Sequence, residues 1–376
     1  MKQKTWVEVS KKALQINIAE LKTIIGEDVF ILAIIKGNAY GAGIETTVSA
    51  TKSIVAWFGV DSLDEANLAR KNCQNPILIL GYVANNDAAE VVKNQFSVIV
   101  YNYDLAVALS RKATAENPAK IHIKVDTGLV RLGLWPEDAI ILVKKISKLP
   151  NIIVEGMCTH FAKLINENNV EIYSAQLKKF IFVVDSLANL GIQPKIMHAA
   201  SSMSAVLYKA THLNMVRIGS ALYGLWGRES LLKFMHEKNN EFNLCPALSW
   251  KTTVVNIKKI PLNTGVGYLH SEIVSRDTTV AVLGAGCYDG IDKRYAKVGY
   301  VLINGKRAKI LGGITMNMCM VDATGIENIK IGDEAVLIGR SGQEEITVYD
   351  FAKVINTSTH EVISRINPLL SRILVP

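Results

Sequence analysis

The chain has 376 residues, more than the roughly 250–300 at which a single core stops growing, so two domains are expected. Hydrophobic residues make up 49% and charged residues 20%, which excludes a disordered or fibrous chain and suits a globular enzyme. The net charge of +8 comes from scattered basic residues without interleaved aromatics, which argues against nucleic acid and leaves a surface that favours anionic ligands.

In chain order, Thr5-Trp-Val-Glu-Val9 alternates and predicts a short strand, and residues 10–25 follow with Leu14, Ile18, Leu21 and Ile25 at helical spacing. The organising stretch is 29–43. Seven apolar residues run straight into Lys36, then into a loop of small residues with glycines at 37, 41 and 43. Such a run predicts a strand buried on both faces, as parallel sheets demand. Its terminal lysine meets the edge of a dry core, where desolvation favours the neutral, nucleophilic amine. Strand-like runs occur at 29–35, 54–60, 76–81, 96–101, 120–125, 152–158, 195–198 and 213–218. Amphipathic stretches such as 62–73, 103–116, 136–149 and 170–190 lie between them; the last places Ile172, Leu177, Phe180, Ile181, Val184 and Leu187 on one face. Eight strands alternating with helices over about 200 residues predict an α/β fold, a (β/α)8 TIM-type barrel. A doubly wound open sheet is the runner-up, but it has no need of eight units.

The pattern changes at 228–243, which is polar, weakly patterned and reads as a connector. β-branched runs follow at 248–260, 278–283, 298–303, 307–311, 318–323 and 334–338, with a hairpin signal at Asn304-Gly305. They predict a mostly β C-terminal domain ending in a helix near 359–366. The expected division is 1–236 for the barrel and 237–376 for the β domain, with the first strand free to pair with the latter. Five widely spaced cysteines without a C-x-x-C argue against a disulfide framework and a zinc site, so no metal is expected. The N-terminal residues lack the apolar core of a signal peptide, and no run reaches the roughly 18 apolar residues of a membrane span. A cytoplasmic protein is expected.

In a barrel, functional residues sit at the C-terminal ends of the strands. Those ends carry Lys36 and Tyr40, then Lys124, Asp126 and Arg131, then Cys158, Thr159 and His160, then His198, Ser201 and Ser202, then Arg217, Gly219 and Ser220. Hydroxyls at 201 and 202 with backbone N–H groups at 219 and 220 suit a phosphate. Neither a Walker nor a GxGxxG pattern exists, which disfavours a nucleotide. A nucleophilic lysine beside a phosphate site points to pyridoxal 5'-phosphate (PLP).

Ile34-Ile-Lys36-Gly-Asn-Ala-Tyr40-Gly-Ala-Gly43, Lys124-Val-Asp-Thr-Gly-Leu-Val-Arg131-Leu-Gly133, Thr159-His160-Phe161-Ala162, Arg217-Ile-Gly219-Ser-Ala-Leu-Tyr-Gly224, Gly265-Val-Gly-Tyr268 and Met316-Asn-Met-Cys-Met-Val-Asp322 resemble the alanine racemase family. The match is collinear from Trp6 to the last helix. The resemblance implies a PLP-dependent isomerase acting on a small amino acid, with a barrel, a β domain and a head-to-tail homodimer whose active sites draw on both chains. It makes Lys36 the residue that holds PLP and the base on one face of the substrate. Tyr268 of the partner subunit would be the base on the other face. Arg217 would face the pyridine nitrogen, with His160 as its buttress. Arg131 would bond the ring oxygen and help place the substrate carboxylate, to which Met316 would lend its backbone N–H. Tyr40, Ser202, Gly219 and Ser220 would hold the phosphate. Lys124 matches a lysine that is carbamylated in many members. Supply of D-alanine to a bacterial cell wall is the implied setting.

The chain departs from the family pattern at Ser201, Cys287, Asn317 and His360. His360 replaces a tyrosine that touches the phosphate and narrows the side-chain pocket. Cysteine and imidazole are smaller than phenol, so serine or larger amino acids are an alternative to alanine. A further alternative makes the chain the catalytic piece of a longer, membrane-anchored serine racemase. A decarboxylase on the same scaffold would pair the pyridine nitrogen with a carboxylate, against Arg217. A non-catalytic PLP carrier would lack the β domain that bears Tyr268. His198 is read as reaching the site through another side chain, and His122, His212, His236 and His270 as structural or surface groups.

Overall fold

The computed structural model describes residues 3–162, 170–226, 229–238 and 242–376. Strand β1 (Thr5–Ser10) leads into a helix, Lys11–Ile25, whose start is fixed by Ser10: its Oγ accepts the Ala13 N–H at 3.1 Å. Eight parallel strands then close a barrel: β2 (Phe30–Ile34), β3 (Trp57–Val60), β4 (Ile77–Ile79), β5 (Ser97–Val100), β6 (Ala119–Lys124), β7 (Ile152–Cys158), β8 (Ile196–Ser201) and β9 (Met215–Ile218). Each falls within or within three residues of an apolar run read from the sequence. The barrel closes where β9 pairs with β2, Leu32 opposite Arg217.

Two apolar layers hold the barrel. Leu32, Ile34, Trp57, Leu78, Ile99, Cys158, Ile196 and Met215 fill its interior. The alternate residues, such as Ile31, Ala33, Val98 and Val216, pack outward against the helices. Helices Leu63–Arg70, Tyr103–Lys112, Pro136–Ile146 and Val170–Ala188 belong to that outer ring. Strand register sets the mouth: Lys124 lies opposite Cys158, Cys158 opposite His198, and Ser201 opposite Arg217.

The C-terminal part is built on a nine-stranded sheet with two helices, Val348–Val354 and Thr359–Ser364. Strand β1 belongs to it, antiparallel to Leu248–Ile260. Three features differ from the sequence reading. The connector contains a helix, Glu229–Lys238, which packs Leu232 and Phe234 against the main core and carries one i,i+4 pair, Lys233–Glu229 at 3.1 Å; residues 227–228 and 239–241, and the His236 side chain, lie outside what is described. Helix Val348–Val354 is added, capped by Thr347. The chain does not end in a helix: Ser371–Val375 forms a strand parallel to β1. That pairing joins the two extremes of the chain, so no local pattern announces it.

Candidate active site

After β2 the chain makes one left-handed turn, with φ of 62°, 51°, 54° and 52° at Gly37, Asn38, Ala39 and Tyr40. Three of these residues are not glycine, at a cost of roughly 1–2 kcal/mol each. Tertiary bonds hold the turn. Asn38 donates its backbone N–H to Glu65 at 3.2 Å and its side-chain oxygen accepts the Ile44 N–H at 3.3 Å. Arg372, from the last strand, donates to the Gly41 carbonyl at 3.0 Å and to the carbonyls of Ile366, Asn367 and Leu370. The C-terminal segment thus clips the lysine loop. Lys36 itself is not desolvated as expected: its side chain is 40% exposed and its Nζ lies 3.4 Å from Asp61. Asp61 directly follows β3, so the strand-end rule would have found it.

The left-handed turn swings Tyr40 over Gly219, where a Cβ would stand 2.5 Å from the Tyr40 Oη. Burial pushes the Tyr40 hydroxyl up to about 12, so it is a donor throughout the neutral range. Its ring packs against Tyr223 and His360, with centroids at 5.1 and 5.6 Å. Desolvation lowers the His360 pKa and keeps that ring neutral. Ser202 Oγ accepts the N–H groups of Gly219 at 3.0 Å and Ala221 at 3.4 Å, which leaves its own hydrogen to donate.

Arg217 is 6% exposed. Its Nη1 donates to His198 Nδ1 at 2.9 Å and the His198 carbonyl at 2.8 Å. Its Nη2 donates to the carbonyls of Thr159 and Ala199, both at 2.7 Å, and to His160 Nδ1 at 3.1 Å. No described protein group takes Nε. Burial and the neighbouring cations push the His160 pKa down to about 2, so it accepts from Arg217 as a neutral ring.

Arg131 stands on a loop that Asp126 organises by accepting the N–H groups of Gly128, Leu129 and Arg131. Gly133, at φ 118°, must be glycine: a Cβ would stand 2.8 Å from the Asp126 nitrogen. Burial, with Arg217 and Arg131 nearby, pulls the Lys124 amine down to about 8. Lys36, Tyr40, Lys124, Arg131, His160, Ser202, Arg217, Gly219, Ser220 and His360 all line one cavity of about 640 Å³ at the barrel mouth. Its described lining carries four basic side chains and no carboxylate. The sequence reading missed Trp226, Met203 and Ser358 in that lining. Tyr268, Met316 and Cys287 do not line it. Tyr268 is 81% exposed on the β domain, and Leu269 beside it is 100% exposed. Among the described residues no acidic, His or Cys cluster suits a metal ion, and no helix is long and apolar enough to cross a membrane.

The family models of the alanine racemase N-terminal and C-terminal domains match residues 9–226 and 247–374. The chain belongs to the alanine racemase family. It is 35% identical over 378 residues to the alanine racemase of Leptospira interrogans, covering 99% of this chain and 96% of that protein. Its fold is similar to that of the alanine racemase of Clostridium difficile 630, with a TM-score of 0.92, 29% identity and coverage of 100% and 96%. It is equally similar to the alanine racemase from Bacillus anthracis with bound L-Ala-P, at a TM-score of 0.91, 29% identity and coverage of 100% and 96%. Alanine racemases are PLP-dependent isomerases, and the cavity fits that cofactor. Its volume lies in the range of cofactor sites, its basic lining suits a phosphate, and Gly219 leaves the cradle that a Cβ would fill.

Proposed function

We propose that this protein interconverts L- and D-alanine with PLP held in the Lys36 cavity, by a two-base route that a homodimer completes. Arg217 supports the reading: it is a buried cation whose hydrogen-bond partners are all acceptors, with no carboxylate among its described partners, and on this reading it would face the pyridine nitrogen. Arginine offers a hydrogen bond without releasing its proton. The chain thereby limits electron withdrawal to what a reversible proton transfer at Cα needs, which disfavours transamination and decarboxylation.

When bound, PLP supplies the electron withdrawal that acidifies the substrate Cα–H. Lys36 holds the cofactor and then moves a proton at one face of Cα, while Tyr268 of a second copy moves one at the other face. Racemisation needs two such groups on opposite sides of one carbon. Ser202, Tyr40 and the backbone of Gly219 and Ser220 hold the phosphate. Arg131 bonds the ring oxygen and, with the Met316 N–H of the second copy, places the substrate carboxylate. Exposed apolar side chains support the dimer: Tyr268, Leu269, Ile273, Met316 and Met318 lie on two loops joined by the Gly312 N–H to Glu272 bond at 2.6 Å. A cytoplasmic setting and supply of D-alanine for a cell wall are carried over from the family.

Of the substitutions behind a wider specificity, Ser201 and His360 line the cavity and Cys287 does not. A chiral assay comparing L-alanine, L-serine and L-lysine tests the substrate. Alanine is expected to turn over fastest; serine or lysine leading by tenfold would overturn the choice.

Lys124 fits carbamylation. Its folded pKa lies below that of a free lysine, so as an amine it destabilises the fold increasingly as pH falls from the lysine range through about 8. A carbamate would place an anion near Arg131 and Arg217. Bicarbonate is therefore expected to raise the melting temperature by about 2 °C or more, and Lys124→Met to abolish that rise. Equal responses in both proteins would refute it.

A further inference from the structure

A hydrogen-bonded chain runs from Arg217 through the barrel interior. Arginine has only donors, so His198 Nδ1, 2.9 Å from Nη1, is an acceptor and the ring's proton sits on Nε2. That N–H meets His122 Nδ1 at 2.9 Å, which puts the His122 proton on Nε2, 3.2 Å from Glu155 Oε2. Ser97 Oγ donates to the same oxygen at 2.6 Å. His122 and His198 are 0% exposed, and Trp57 packs edge-on against His122 at 5.8 Å. Glu155, with its side chain 17% exposed, is the first carboxylate along the chain. Burial alone would raise its pKa, but the bonds from His122 and Ser97 hold it below the usual carboxylate range.

We propose that Glu155, through His122 and His198, fixes the tautomer that Arg217 binds, and so holds the guanidinium aimed at the cofactor ring. Glu155 and His122 are then positioning residues rather than catalytic ones. Direction is what the carboxylate contributes. It accepts and cannot donate, so both imidazoles must point their N–H toward it. Without it, either ring can carry its proton on Nδ1, and His198 would then present N–H to the N–H of Arg217, a buried donor facing a donor. The proposal rests on the reading that Arg217 serves the PLP ring, but its first readout does not need PLP.

Nitrogen-15 NMR of histidine-labelled, cofactor-free protein tests it. The wild type should show His122 and His198 as Nε2–H tautomers alone. Glu155→Gln keeps the shape but offers either an acceptor or a donor. It should populate Nδ1–H at His198 and raise the dissociation constant for PLP about tenfold, at the lower end of what losing an outer partner costs an oriented ligand. Glu155→Asp, which keeps the charge, should restore the wild-type tautomer. Should Glu155→Gln not fold, His122→Phe keeps a ring against Trp57, cuts the chain at its middle, and should change His198 in the same way. Unchanged His198 tautomers in the folded variant, with PLP affinity within twofold of wild type, would overturn the proposal. Alanine racemisation by the wild type in that case would leave the reading of Arg217 standing.

Discussion

A Lys36→Ala variant is expected to fold, to lose the visible absorption of lysine-bound PLP, and to lose turnover by about 10⁴-fold or more. Folding should survive because the side chain is 40% exposed and its one ion pair, with Asp61, is exposed on both partners; such pairs contribute about 1 kcal/mol or less. Activity should not survive, because on the proposed reading the same amine would anchor the cofactor and move a proton at Cα. The other lysine in the cavity, Lys124, cannot replace it. It ends β6, away from β2, and is buried with Arg131 and Arg217 nearby. Absorbance spectra and a chiral assay on the purified variant check both effects. Retained absorption with wild-type turnover would remove Lys36 from the chemistry.

A Tyr268→Phe variant is expected to keep that absorption but lose about 10²–10⁴-fold in turnover from L-alanine, the range for a single acid–base group. Stability should change little, since Tyr268 is 81% exposed in one chain. The two faces of the substrate then separate. In deuterated water the Cα hydrogen of D-alanine should still exchange, because Lys36 serves that face, while L-alanine should neither exchange nor form. Turnover should fall equally in both directions, since neither enantiomer can complete the reaction; equal loss of Cα exchange from both enantiomers, or undiminished turnover, would contradict the two-base assignment.

The barrel was legible because parallel strands buried on both faces leave uninterrupted apolar runs, and the candidate cavity was legible because strand ends converge at one barrel mouth. Lys36, Arg131, His160, Ser202 and Arg217 meet in one cavity for that reason. Long-range partners were not legible. Arg372 reaches Gly41 across the whole chain, and Ser371–Val375 pairs with β1, neither of which any local pattern encodes. The helix Glu229–Lys238 packs Leu232 and Phe234 against the main core, but these few apolar residues lie within a polar stretch that reads as a connector. The polar barrel interior did leave a signal. In β6, Lys120, His122 and Lys124 alternate with Ala119, Ile121 and Ile123, so a polar face points into the lumen. Reading that alternation would have placed the His122 side chain inside the barrel.

Mixed dimers test the central claim most directly. Lys36→Ala and Tyr268→Phe chains, each nearly inactive alone, can be co-expressed with different tags and the heterodimer isolated. If each site takes its lysine from one chain and its tyrosine from the other, one site of the heterodimer carries both defects and the other carries none. That heterodimer should then show about half the wild-type rate from L-alanine. A heterodimer no more active than its two parents would mean that the amine and the phenol do not meet across the interface.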